Sequence, residues 1–109
     1  MSELADTVCE PCRGGMPPLD AAGIAPMMEL LHADWKTIDG HHLQRTWSFS
    51  DFAEALAWVN RIGELAEAAG HHPNLHLGWG WARMEMWTHK IDGLHLADFV
   101  LAAQVDELD

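Results

Sequence analysis

Cysteine is nearly absent: Cys9 and Cys12 are the only two in 109 residues. That is too few to staple a secreted disulfide scaffold, so a reducing, cytoplasmic setting is expected. Basic residues are scarce as well. Six Lys and Arg stand against 17 Asp and Glu, and the formal net charge of −11 argues against nucleic acid or an anionic membrane surface as partner. No apolar run approaches the roughly 20 residues that a bilayer-spanning helix needs. The opening MSELADTVCEPC is acidic and polar, unlike a secretory signal. An apolar fraction of 49% with 21% charged residues then describes one globular domain around a single core.

Residues 1–18 contain CEPCRGGMPP and read as an irregular N-terminal tail ahead of a domain over 19–109. CEPC has the spacing of half a zinc knuckle or of a redox pair. A structural zinc site wants four ligands and no second Cys pair exists, so two free thiols on a tail is the simpler reading. Leu19 to Ala33 reads as helical, with Asp20 as N-cap and Pro26 forcing a bend or a late start. Trp35 to Ile38 predicts a short strand, Asp39-Gly40 a hairpin turn, and Leu43 to Phe49 a second strand whose alternation Arg45 interrupts.

The next helix is expected to be capped by Ser50, with Asp51 in its first turn and Gly70 as terminator. Phe52, Leu56, Val59, Ile62 and Ala66 recur at helical spacing and predict its buried face. From Leu75 to Thr88 the pattern is that of strands, split near Gly78 and Gly80. Ala82, Met84 and Met86 would face the core, while Trp79, Trp81 and Trp87 share parity with Arg83 and Glu85 on an open face. Asp92-Gly93 marks a turn, and Leu96, Phe99, Val100 and Ala103 mark the inner face of a last helix. The predicted class is α+β: helix-strand-strand-helix-strand-strand-helix, with an antiparallel sheet of about four strands and helices on one face.

Eight histidines are present. His41 and His42 on a hairpin, His32 and His95 at helix edges and His76 on a strand read as surface residues. His71 and His72 differ, because they stand at a helix exit in front of Pro73, which biases His72 away from helical geometry. Two rings then project differently from a constrained backbone. His89 sits at the end of the Trp- and Met-rich strand, where a strand end and a helix exit can meet at one sheet edge. Imidazoles titrate near neutrality, so three of them can both give and take protons. Asp98, in the first turn of the last helix, can orient one of them. Three histidines can also hold a metal, although this spacing is no zinc signature.

The spacing Glu67, three residues, His71-His72-Pro73, five residues, Trp79, nine residues, His89, eight residues, Asp98 resembles the signature of the pterin-4a-carbinolamine dehydratases. RTWSFSDFAEALAWVN is similar to the family's approach to its long helix, and WTHKIDGLHLADFVLAAQVDEL to its Thr-His, Gly-Leu, Asp and Leu-Ala ending. The resemblance covers roughly Leu19 to Leu108, and the Cys9–Cys12 tail resembles an extension on a bacterial and plastid-type branch. Departures are His95 where a capping Ser or Thr is usual, Asp92 where a second Gly is frequent, and tryptophans at 47, 58, 79 and 87.

The resemblance implies a hydro-lyase that dehydrates 4a-hydroxytetrahydrobiopterin, or a related 4a-hydroxytetrahydropterin, to quinonoid dihydropterin and so recycles tetrahydropterin. It implies His71 and His89 as acid and base, His72 as mainly ligand-binding, and Asp98 in support. Trp79 would pack or stack on the pterin; Glu67, one helical turn before His71, would either hydrogen-bond it or serve only as a solubilising surface charge. No metal and no organic cofactor are implied. A rival implied by the same family is a non-catalytic protein-binding or assembly factor, such as a transcription-factor dimerisation partner or a Rubisco assembly factor. A homodimer or homotetramer is expected, because an open sheet face carrying Trp79, Trp81 and Trp87 favours burial at about 25 cal/mol per Å² of apolar surface.

If the histidines act as proton carriers, dehydratase activity should survive exhaustive chelation. Stoichiometric zinc held by His71, His72 and His89 would contradict this, whereas zinc at Cys9 and Cys12 would not.

Overall fold

The computed structural model describes Leu4 and residues 17–109; the Cys9–Cys12 tail lies outside the described residues. The elements run α1 (Ala21–Met28), β1 (Lys36–Ile38), β2 (His42–Ser48), α2 (Phe52–Ala69), β3 (Asn74–Gly78), β4 (Trp81–Met86), a 3-10 turn (His89–Ile91) and α3 (Leu96–Leu108). The four strands pair antiparallel in the order β1-β2-β4-β3, which is the predicted α+β arrangement. Among the described residues no helix is long and apolar enough to cross a membrane.

Turn chemistry accounts for the hairpins. Asp39 and Gly40 both take positive φ, 54° and 64°, and close the β1–β2 connection. Gly80 at φ 80° closes β3–β4 behind Trp79, so the Trp-rich run is two strands and not one. Burial alternates along β2 and β4: Leu43, Arg45 and Trp47, and Ala82, Met84 and Met86, point into the core. Their neighbours on the other face are half-buried or exposed. There the Trp81 ring lies against Gly78, where a Cβ would come within 2.3 Å of the indole nitrogen.

The helices depart from expectation in three ways. Helix α1 keeps Asp20 as N-cap, accepting from the Gly23 amide at 2.9 Å, but ends at Met28 and not at Ala33. Helix α2 is capped by Asp51 and not by Ser50: the Asp51 carboxylate accepts from the Glu54 amide at 2.9 Å, while the Ser50 hydroxyl donates to the Glu54 carboxylate. The buried face of α2 is Ala55, Trp58, Ile62 and Ala66, leaving Phe52 45% and Leu56 41% exposed. Trp58 decides this rotation. It is the largest apolar side chain on the helix, and it inserts beside Trp47 and Phe49 at ring separations of 5.3 and 6.4 Å.

Arg45, the break in the β2 pattern, sits in the core at 3% exposure. Its guanidinium donates to Asp106 at 2.6 Å and to Asp109 at 2.7 Å, and lies 4.9 Å over the Trp47 ring. Asp106 also accepts from the Trp35 indole at 2.8 Å and from the His32 amide at 2.9 Å. One carboxylate thus ties the end of α3 to β2 and to the segment after α1. A buried cation without its partner is costly, so Asp106→Ala should destabilise the domain by about 3 kcal/mol. Asp109 is 47% exposed, and Asp109→Ala should cost less than about 1 kcal/mol. Urea unfolding of both variants at unchanged m-value checks the contrast.

Candidate functional site

The helix exit that carries the histidine pair is built by backbone bonds. Gly70 takes the left-handed conformation at φ 67°, the Gly70 amide donates to the Glu67 carbonyl, and the His71 amide reaches back to the Ala66 carbonyl at 3.2 Å. This paired closure fixes the backbone of His71. Pro73 follows and delivers the chain into β3 at Asn74.

The His71 Nε2 atom lies 2.7 Å from Asp98 Oδ1. Asp98 has no solvent exposure, and its second oxygen accepts from the Thr88 hydroxyl at 2.8 Å and from the His95 amide at 2.9 Å. The last bond is the Asp98 half of a capping box at the start of α3, with His95 as the N-cap residue. A carboxylate only accepts, so neutral His71 carries its hydrogen on Nε2 and leaves the Nδ1 lone pair for another group. The His71 side chain is 23% exposed, enough for a ligand to reach it.

Glu67 does not bond His71. Its carboxylate meets His72 Nε2 at 2.8 Å, with both side chains well exposed. The reason is the left-handed turn at Gly70: it sends His71 inward toward α3 and leaves His72 over the last turn of α2. His89 begins the 3-10 turn directly after Thr88, and its ring stacks on Trp87 with centroids 4.4 Å apart at an interplanar angle of 8°. Asp98 therefore links His71 to the residue preceding His89.

Strand direction groups the rest. Asn74 pairs with Glu85, so the start of β3, next to Pro73, lies beside the end of β4, which leads to His89. Trp79 stands at the other end of β3, in the hairpin, 74% exposed. A five-residue strand spans about 17 Å, so this chain does not bring Trp79 to its own histidines. Thr88 was not singled out from the sequence as a site residue, although its place beside His89 in the motif was the available signal. Also unanticipated was His41, whose Nε2 lies 2.7 Å from the Asp92 carboxylate and whose ring lies 5.2 Å from Trp87. An open groove flanks the site, lined by Val59, Gly63, Glu64, Glu67 and Leu75 among others. Among the described residues no group of three or more His, Cys, Asp and Glu is arranged to hold a metal ion.

Residues 17–108 match the family model described as pterin 4 alpha carbinolamine dehydratase. A Rubrobacter xylanophilus protein named for pterin-4-alpha-carbinolamine dehydratase is 51% identical over 108 residues, 99% of this chain and 100% of that one. An Alkaliphilus metalliredigens protein of the same name is 49% identical over 107 residues, 98% of this chain and 96% of that one. In both names the activity stands as an assignment. Among solved structures, a Brucella melitensis transcriptional coactivator/pterin dehydratase superposes with a TM-score of 0.76 at 22% identity, covering 84% of this chain and 97% of that one. A pterin dehydratase-like protein identified as a RuBisCO assembly factor in the alpha-carboxysome gives 0.59 at 24% identity, covering 71% and 90%. At these identities the two structures speak to the fold alone.

Asp98→Ala would take an acceptor away from three donors at once in a solvent-free position. The expected cost is about 2–3 kcal/mol of unfolding free energy, read from chemical denaturation, with Asp98→Asn recovering part of it. A loss below about 0.5 kcal/mol would show that the network does not hold the site together.

Proposed function

The chain belongs to the pterin 4 alpha carbinolamine dehydratase family, and from that premise we propose that it dehydrates a 4a-hydroxytetrahydropterin to the quinonoid dihydropterin. The reaction breaks the C4a–O bond. A ring nitrogen lone pair drives the hydroxyl out, the leaving oxygen takes a proton, and a ring N–H gives one up, so that one water is released. Both transfers are general acid–base steps within reach of imidazole.

The observation that carries this reading is the Asp98 carboxylate, which joins His71 to the Thr88–His89 step. In the reading His71 and His89 act as acid and base, with His71 working through Nδ1. His72, held over Glu67, binds the ligand, and Pro73 sets its direction. Asp98 positions His71 and favours the tautomer whose Nδ1 faces outward. Trp79 is given no role in this reading, because it stands in the β3–β4 hairpin at the far end of β3 from His71 and His72. The same proposal includes a homodimer or homotetramer. The exposed apolar side chains that favour it are Leu30, Phe52, Leu56 and Trp79, since Trp81 and Trp87 are half-buried. A protein-binding role of the kind named for the RuBisCO assembly factor is the rival, and turnover decides between the two.

Purified protein should accelerate loss of water from a 4a-hydroxytetrahydropterin in a stopped-flow absorbance assay. His71→Ala and His89→Ala should each lower kcat by about 10²–10⁴, the usual worth of a positioned acid or base. His72→Ala should act mainly on KM. A wild-type protein without turnover, or an unimpaired double variant lacking His71 and His89, would overturn the reading.

A further inference from the structure

The three histidines are held in two different ways. His71 and His72 each give a ring nitrogen to a carboxylate, at 2.7 and 2.8 Å. Among the described residues no hydrogen bond holds the His89 ring. It lies exposed on a single 3-10 turn, where an imidazole would otherwise sample several rotamers. What confines it is Trp87, whose indole lies 4.4 Å away and within 8° of parallel. We propose that Trp87 is a positioning residue for His89, fixing the plane of its ring while leaving both ring nitrogens free for proton traffic.

The distinction is chemical. A hydrogen bond occupies one imidazole nitrogen, as Asp98 does for His71. A stack occupies the ring face, and both nitrogens lie in the plane at the ring edge. An imidazole that takes a proton at one point of a cycle and returns it at another gains from that freedom, provided its orientation stays fixed. Displacement of a reacting group by about 1 Å can cost on the order of 10²-fold in rate, so orientation matters as much as basicity.

Trp87 is itself held in place. The register pairs Leu43 with Met86, so one step further His42 stands across from Trp87, and their rings are 5.7 Å apart. His41 approaches the indole at 5.2 Å. His41 Nε2 also meets the Asp92 carboxylate at 2.7 Å, and Asp92 caps the 3-10 turn that carries His89, at φ 50°. The turn is thus gripped at both ends, Thr88 by Asp98 and Asp92 by His41, with the Trp87 stack between. The hairpin between β1 and β2, remote in sequence, thereby reaches the third histidine.

This inference rests on the acid–base role proposed for His89, and the test separates the two. Trp87→Leu removes the aromatic face and Trp87→Phe restores one; both are assayed with a 4a-hydroxytetrahydropterin, and the His89 ring protons are followed by NMR. Trp87→Leu should lower kcat by about tenfold or more while KM changes less than about twofold, and Trp87→Phe should recover kcat to within about threefold. The His89 ring protons should lose their upfield ring-current shift in Trp87→Leu and keep part of it in Trp87→Phe. Should Trp87→Leu fail to fold, His41→Ala decides: a lowered kcat with displaced His89 resonances supports the proposal, and wild-type values of both overturn it. An inert wild-type protein would overturn the dehydratase reading and this inference together. An active wild type, with a folded Trp87→Leu that keeps its kcat or changes only in KM, would overturn this inference alone.

Discussion

A carboxylate cut off from water must find its donors within the protein, and Asp98 finds three from three separate segments. The imidazole of His71 comes from the exit of α2, the hydroxyl of Thr88 from the approach to the 3-10 turn, and the His95 amide from the start of α3 itself. Each of these segments is irregular and would be poorly placed alone. Satisfying one buried anion brings them to a common point. The same bonds close the N-terminus of α3, where negative charge is favoured by the helix dipole. Geometry at the site and stability of the last helix therefore share one cause.

The sheet supplies the coarse placement on which that closure acts. Because β3 and β4 form a tight antiparallel hairpin, the residue before β3 and the residue after β4 emerge side by side. Local turn chemistry made this legible in the sequence: Gly80 closes the hairpin, Gly70 ends α2, and the Ala82, Met84, Met86 alternation marks the covered face. The same argument moves Trp79 away. A residue in the hairpin lies at the far end of both strands from the histidines, so parity along the chain carried no information about its distance from the site.

What the sequence did not disclose depends on competition between groups of similar local merit. Ser50 and Asp51 can each cap a helix; the carboxylate took the amide and the hydroxyl turned to Glu54. Two helical stripes on α2 are apolar, and Trp58 outweighed Phe52 and Leu56 because Trp47 and Phe49 already waited across the interface. Arg45 looked like an error in a strand pattern until Asp106 and Asp109 arrived from the other end of the chain. Glu67 stands one turn from His71, yet the left-handed residue between them redirects that ring and leaves His72 as its partner. In the last three cases the deciding partner is remote in sequence or lies across a backbone reversal, beyond the reach of local periodicity.

The acidic excess of the chain falls repeatedly on imidazoles: His32, His41, His71, His72 and His76 each lie within 4 Å of a carboxylate oxygen. Chemically these pairs are alike, and burial separates them. Four of the carboxylates keep contact with solvent, so water screens the interaction and competes for the ring nitrogens. Asp98 has no such contact, and its second oxygen is already bound to Thr88 and His95, so it cannot turn away from His71 without breaking other bonds. A histidine ring is fixed in direction when its partner has nowhere else to go. His71 is held by a hydrogen bond to that anion, whereas the His89 ring lies against the face of the Trp87 indole, one residue beyond the Thr88 that the anion also binds.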